Sequence, residues 1–264
     1  MTFLSKAGLI GVTFSAMAMG VMAAGAQADT VKVGLAAEPY PPFAYTDASG
    51  KWQGWEVDMM GAICLEAKLE CEITPISWDG IIPALQSKKI DMIMASLSIT
   101  PDRLKVIDFS DKYYNTPAVI VGDKRLEMDA TAASMENKIL GVQSGTIHRK
   151  YIQKHFADTA DSVKEYQTQD EANQDLVAGR IDALQADSIA MMDFINSPQG
   201  QACCEVKGEV AQDLEILGPG VGAGIRKGDD KLRAAVNEAI LALRDSGQYQ
   251  EISAKYFSFD PYGQ

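Results

Sequence analysis

The sequence predicts an α/β protein of two lobes, each a central, mostly parallel sheet flanked by helices, joined by a two-segment hinge. Three observations carry that prediction. Short apolar runs alternate with helix-period segments almost throughout, the pattern of parallel strands covered by helices on both faces. The alternation starts afresh at residue 139. Two passages punctuated by Pro and Gly, 114–121 and 215–222, read as extended chain suited to crossing between lobes.

Each element follows in turn. Residues 31–35 read as a strand, and 56–67 as a helix, with apolar residues at 57, 60, 63 and 64 on one face. Residues 71–76 form the next strand, 80–86 a helix with Pro83 in its first turn, and 89–95 a solidly apolar strand. After the restart, 139–143 is a strand and Ser144-Gly145-Thr146 leads into a helix through Phe156. A strand at 162–166, a helix at 169–178 closed by Gly179, a strand at 181–186 and a helix at 188–195 complete the second unit. The chain ends with a helix over 231–245, apolar at 232, 236, 240 and 243 and closed by Gly247, then a short helix over 248–257. This order implies a first lobe from 29–117 and 218–264, a second from 118–217, and a ligand cleft between them.

Residues 1–28 read as a signal peptide. Lys6 is the one charge before Asp29, residues 7–24 are mostly apolar, and Ala26-Gln27-Ala28 supplies small residues for cleavage after Ala28. An uncleaved anchor is the alternative, but Gly11, Thr13, Ser15 and Gly20 interrupt the apolar run. The first cysteine is Cys64, far from the cleavage site, which argues against a lipid anchor. No later segment approaches the roughly 20 apolar residues of a spanning helix. Cleavage leaves 264 − 28 = 236 residues and moves the formal charge from −12 to −13, because Lys6 is lost. So acidic a surface repels phosphate backbones and anionic membranes and excludes nucleic acid as a partner.

Export permits disulfides. Cys64 and Cys71 are spaced for a staple between a helix end and the following strand, two buried thiols being the alternative. Cys203 and Cys204 are neighbours whose state the sequence leaves open. Neither pair has His or Cys partners at zinc-site spacing, so no metal and no cofactor is expected.

Ligands of parallel α/β sheets collect beyond the carboxyl ends of the strands, and three such junctions carry suitable chemistry. At the first, Ser96 and Ser98 precede Thr100, which can cap a short helix begun by Pro101, and Arg103 adds a guanidinium fork. Free amides beside a guanidinium suit a carboxylate. At the second, Gln143-Ser144-Gly145-Thr146 puts hydroxyls and amides at a helix start. At the third, Asp187 ends a strand and can hold an ammonium, or cap the helix instead; Ser188 can serve as that cap. Two anion sites and one cation site fit a zwitterion. Tyr40 and Trp78, both at strand ends, offer flat faces for an apolar stem, while Phe43 and Trp55 read as core. Enzyme signatures are mostly missing: 141–145 misplaces the serine of G-x-S-x-G, and 218–224 never matches G-x-G-x-x-G. His148 and His155, the two histidines, read as surface residues.

These residues, with Tyr40-Pro41-Pro42-Phe43, Gly54-Trp55-Glu56-Val57-Asp58, Trp78-Asp79-Gly80-Ile81-Ile82-Pro83, Ser96-Leu97-Ser98-Ile99-Thr100 and Gly179-Arg180-Ile181-Asp182, resemble the periplasmic solute-binding proteins of polar amino-acid ABC importers. The closing stretch 255–263 belongs to the same likeness, which spans nearly the whole mature chain and points to the subgroup for lysine, arginine, ornithine, histidine and opines. The resemblance implies a type II periplasmic-binding-protein fold, a periplasmic monomer, an amino-acid ligand, a membrane permease as partner, and a Cys64–Cys71 disulfide. It implies that Arg103 clamps the ligand carboxylate with amides at Ser98 and Thr146, and that Asp187 and Ser96 take the ammonium. Tyr40 and Trp78 then stack on the side chain and Glu38 faces its far end. Ala95 stands where the family has the first of two serines, Ile147 where it has a polar residue, and the loop at Glu38 differs in length. The head-group anchor survives those departures and the identity of the side chain does not. An enzyme on the same scaffold, of the cyclohexadienyl dehydratase type, and a sensory binding protein are the competing readings.

Overall fold

A computed structural model describes residues 1–2 and 30–263; the predicted signal segment otherwise lies outside the described residues. Two five-stranded sheets organise it. The first runs, in spatial order, Glu70–Ile76, Thr30–Ala36, Met92–Ile93, Val221–Ile225 and Asp108–Tyr114. The second runs Cys204–Glu209, Ala118–Asp123, Ala183–Asp187, Ile139–Gln143 and Ser162–Tyr166.

Each sheet is parallel apart from one reversed strand. Val221–Ile225 is antiparallel to both neighbours in the first sheet, as Ala118–Asp123 is in the second. Both are strands by which the chain enters a sheet after crossing from the other. The remaining strands end at the cleft between sheets, so an entering strand starts there and runs away from it. Strand ends and helix starts therefore face each other across one crevice, where main-chain amides can reach a ligand.

Packing follows from the apolar patterns. The helix Trp55–Glu66 buries Trp55, Met59, Met60, Ile63 and Cys64 against the first sheet. Trp55 is fully buried and its indole donates to Ser253 Oγ at 3.0 Å, tying this helix to Gln248–Ser253. Phe43 is fully buried as well, so both rings expected in the core are there. The helix Asp230–Asp245 presents Leu232, Val236, Ile240 and Leu243 inward, the four apolar positions read from the sequence. Among the described residues no helix is long and apolar enough to cross a membrane.

Four expectations need correction. The apolar run 89–95 pairs as a regular strand only over Met92–Ile93, because the chain turns at Ser96, whose φ is +54°. The passage 215–222 is not extended throughout: Leu214–Leu217 makes a helical turn ended by Gly218 at φ +75°. Gly218 is required there, since a Cβ would lie 1.9 Å from the Ile99 carbonyl oxygen. Asp187, not Ser188, occupies the N-cap position of the helix Ser188–Asn196. The last helix stops at Ser253 rather than continuing to 257. Cys64 and Cys71 form a disulfide joining the end of Trp55–Glu66 to Glu70–Ile76, and the adjacent Cys203 and Cys204 are also bonded.

Candidate ligand-binding site

The first sheet's side of the cleft is built by the turn after Met92–Ile93. Residues 92–98 are all buried, so Ser96 and Ser98 are polar groups held in an apolar wall. Thr100 is extended and its hydroxyl accepts from Arg103 N at 3.3 Å, capping the short helix Pro101–Leu104. That helix turns the Arg103 side chain back on the loop. Its Nη1 donates to the Ser98 carbonyl at 2.9 Å, and its guanidinium carbon lies 5.6 Å from the Trp78 ring centroid. Loss of solvent pulls the guanidinium down to about 10, partly opposed by the Asp187 charge, so Arg103 remains a cation at neutral pH.

Glu56, at the start of Trp55–Glu66, is buried behind Ser96. Its Oε1 accepts from Ser96 N at 2.8 Å and from the Tyr113 hydroxyl, and its Oε2 accepts from Ser96 Oγ at 3.1 Å. Burial pushes the carboxyl up, and these three donors pull it back. Glu38 stands further out, its Oε2 accepting from Trp78 N at 3.2 Å.

The second sheet supplies the opposite wall. Thr146 caps the helix Ile147–His155, accepting from Arg149 N at 3.1 Å while donating to the Gln143 carbonyl at 2.7 Å. Gln143 itself donates to the Gln167 carbonyl at 3.1 Å. Asp187 ends Ala183–Asp187 and sits at an N-cap position, yet its carboxylate makes no capping bond. One oxygen accepts from the Tyr40 hydroxyl at 2.7 Å and the other lies 3.3 Å from His148 Nε2. Burial, reinforced by the Asp187 charge, holds the Tyr40 phenol well above its usual range, so it stays a donor. The Tyr40–Asp187 bond spans the cleft.

One cleft is thus lined by Glu38, Tyr40, Trp78, Ser96, Ser98, Arg103, Gln143, Thr146 and Asp187 together, and by Glu56, His148 and Gln169 besides. Ala95 and Ile147, the two departures from the family pattern, face it too. The placing of His148 on the surface is corrected: it is 5% exposed. The signal was available, because 148, 151, 152 and 155 share one helical face and Tyr151 and Ile152 are core. His155 is half-buried on that same face, 2.8 Å from Asp213. The sequence does not mark Glu56 as a cleft residue, because an acidic residue in a first helical turn is ordinary dipole chemistry. Its apolar neighbours Trp55 and Val57 were the one hint of burial.

Comparison with known proteins settles the class. The model of the bacterial extracellular solute-binding proteins, family 3, matches residues 31–259. The chain belongs to that family. The L-arginine-binding protein of Pseudomonas aeruginosa is 41% identical to this family 3 protein, over 88% of this chain and 90% of the relative. The histidine-binding periplasmic protein of Salmonella typhimurium is 36% identical, over 88% and 90%. Among solved structures, an ancestral arginine-binding protein bound to arginine matches with a TM-score of 0.78 and 32% identity, covering 87% of this chain and 98% of that one.

Proposed function

We propose that this family 3 protein captures a polar amino acid with a cationic side chain, or an opine-like derivative of one, and delivers it to the permease of an ABC importer. The observation that carries the reading is the meeting of Arg103 and Asp187, from different sheets, on one cleft. A guanidinium fork suits a carboxylate and a buried carboxylate suits an ammonium, which together describe the head of an α-amino acid. That head group neutralises Arg103 and Asp187 and leaves Glu38 on the cleft without a counter-charge, which favours a cationic side chain between Tyr40 and Trp78. The arginine and histidine named for the relatives agree with that sign.

In the mechanism, the lobe formed by 29–117 and 218–264 holds the carboxylate first, through Arg103 and the amide of Ser98. Closure of the lobe formed by 118–217 adds the amide of Thr146 and brings Asp187, with Ser96 opposite it, onto the ammonium. Glu38 reads the far end of the side chain. Contacts between the walls, Tyr40 to Asp187 and Lys150 to Asp102 at 2.7 Å, mark the closed arrangement that a permease would recognise. Micromolar affinity corresponds to about −8 kcal/mol. The protein acts stoichiometrically, outside the cytoplasm, after cleavage at Ala28.

A thermal-shift screen of the mature protein against the common amino acids and opines tests this, since binding to the folded state raises the melting temperature. Arginine or another cationic amino acid is expected to give the largest rise. Absence of any rise with cationic compounds overturns the reading. Conversion of a bound compound to product favours an enzyme on this scaffold, and unimpaired uptake in a deletion strain favours a sensory role.

A further inference from the structure

We propose that Glu56 is a positioning residue that makes the Ser96 hydroxyl an acceptor and so selects ligands bearing an α-ammonium. The inference rests on the reading of the cleft as an amino-acid site and adds to it a residue that does not bind the head group through its own charge alone. Ser96 holds a left-handed φ of +54°, and its main chain and side chain are both fixed by one carboxylate. A serine hydroxyl has one hydrogen and two lone pairs. The hydrogen is committed to Glu56 Oε2, so what Ser96 Oγ can still offer the cleft is a lone pair. A lone pair welcomes an N–H of an ammonium and repels a ligand oxygen placed there. The hydrogen could not turn freely towards the cleft without leaving Oε2 short of a donor in a buried setting, where an unmade hydrogen bond is costly.

The other two donors explain why the arrangement is stable. Ser96 N and the Tyr113 hydroxyl both serve Oε1, so Oε2 is left to the Ser96 hydroxyl. Tyr113 is fully buried beside it and, with burial as the main cause, its phenol is held far above its usual range, so it remains a donor. With Glu56→Gln, the amide oxygen retains Ser96 N and Tyr113. The amide nitrogen then replaces Oε2 and is a donor only. Ser96 Oγ must accept from it, and the hydroxyl hydrogen turns into the cleft. The volume of the side chain hardly changes while the polarity of the subsite reverses.

Calorimetry with two probes reads that reversal: L-arginine, and 5-guanidinopentanoate, which lacks the α-ammonium. For the unaltered protein, arginine is expected to bind far better. In Glu56→Gln, arginine affinity should fall by about 10- to 100-fold, the range of one hydrogen bond to a charged group, with the analogue affected much less, so the preference narrows. Ser96→Ala removes the hydroxyl through which Glu56 acts, so adding Glu56→Gln to it should change the arginine-to-analogue ratio by less than about twofold. Melting curves and circular dichroism confirm that each variant is folded. If the single Gln variant is folded and keeps the original ratio, or if the Gln change shifts the ratio equally with and without the Ser96 hydroxyl, the inference is overturned. Failure of the unaltered protein to bind either probe brings down the parent reading, and this inference with it.

Discussion

Arg103 is a cation with little water around it, held by one carbonyl and one aromatic face. On the proposed reading, its removal leaves the ligand carboxylate without its counter-charge in a closed cleft. Arg103→Ala should therefore weaken binding by about 2–5 kcal/mol, and calorimetry giving near-original affinity would sink the assignment. Gly145 probes the other wall. Its φ is +67°, and a Cβ would lie 2.7 Å from Asp79 Oδ1 and 3.2 Å from Trp78 Nε1, atoms of the opposing wall. Gly145→Ala should weaken binding by about 1 kcal/mol, several-fold in Kd, because the contact arises when the walls meet. A variant binding as tightly as the original would show that the walls need not approach there. At this scale the sequence was readable wherever chemistry is local: Ser96, Ser98, Thr100 and Arg103 lie within eight residues, Thr100 caps the turn that carries Arg103, and Arg103 donates back to the Ser98 carbonyl. Glu56 was not, because its hydrogen-bond partner Ser96 lies forty positions away.

At the scale of elements, strand-to-helix order and the helical faces were legible because periodicity is set by the backbone. What failed were places where tertiary contact overrides pattern, such as the apolar run that bends at Ser96 and the turn of helix before Gly218. The helix Ile147–His155 illustrates both outcomes. Its N-terminal half faces the cleft, and its C-terminal half is fastened to the chain returning towards the first sheet. Tyr151 donates to the Ala211 carbonyl at 2.8 Å, and Asp213 takes Lys154 and His155, each at 2.8 Å. Lys154, with His155, holds the Asp213 carboxyl down at about 2. A carboxyl lowered from its usual value near 4 stabilises the folded state above that value and loses the contribution as pH falls towards 2. Asp213→Asn should melt at a lower temperature at pH 7, with the gap closing as pH approaches 2. A gap that stayed constant across that range would show that the carboxylate charge plays no part.

For the whole molecule, two sheets meeting at strand ends explain why residues as distant as Tyr40 and Asp187 share one hydrogen bond. The existence of two α/β units was legible from the restart at 139, and the cleft followed from the rule about strand ends. The identity of contacts across it was not, since no local pattern records which residue of one unit faces which residue of the other.

The reversed strand Val221–Ile225 lies between Met92–Ile93 and Asp108–Tyr114, in the interior of the first sheet although it comes late in the chain. The second sheet is complete once residue 209 has emerged, whereas the first waits for residue 225. As the chain emerges from its N-terminus, the N-terminal part therefore stays unfinished until most of the polypeptide has appeared, and the second sheet is the first to lock. A chain ended at residue 217 should show the disulfide-bonded N-terminal region cleaved rapidly by protease while 118–209 resists. Equal resistance of the two regions would contradict that order of maturation.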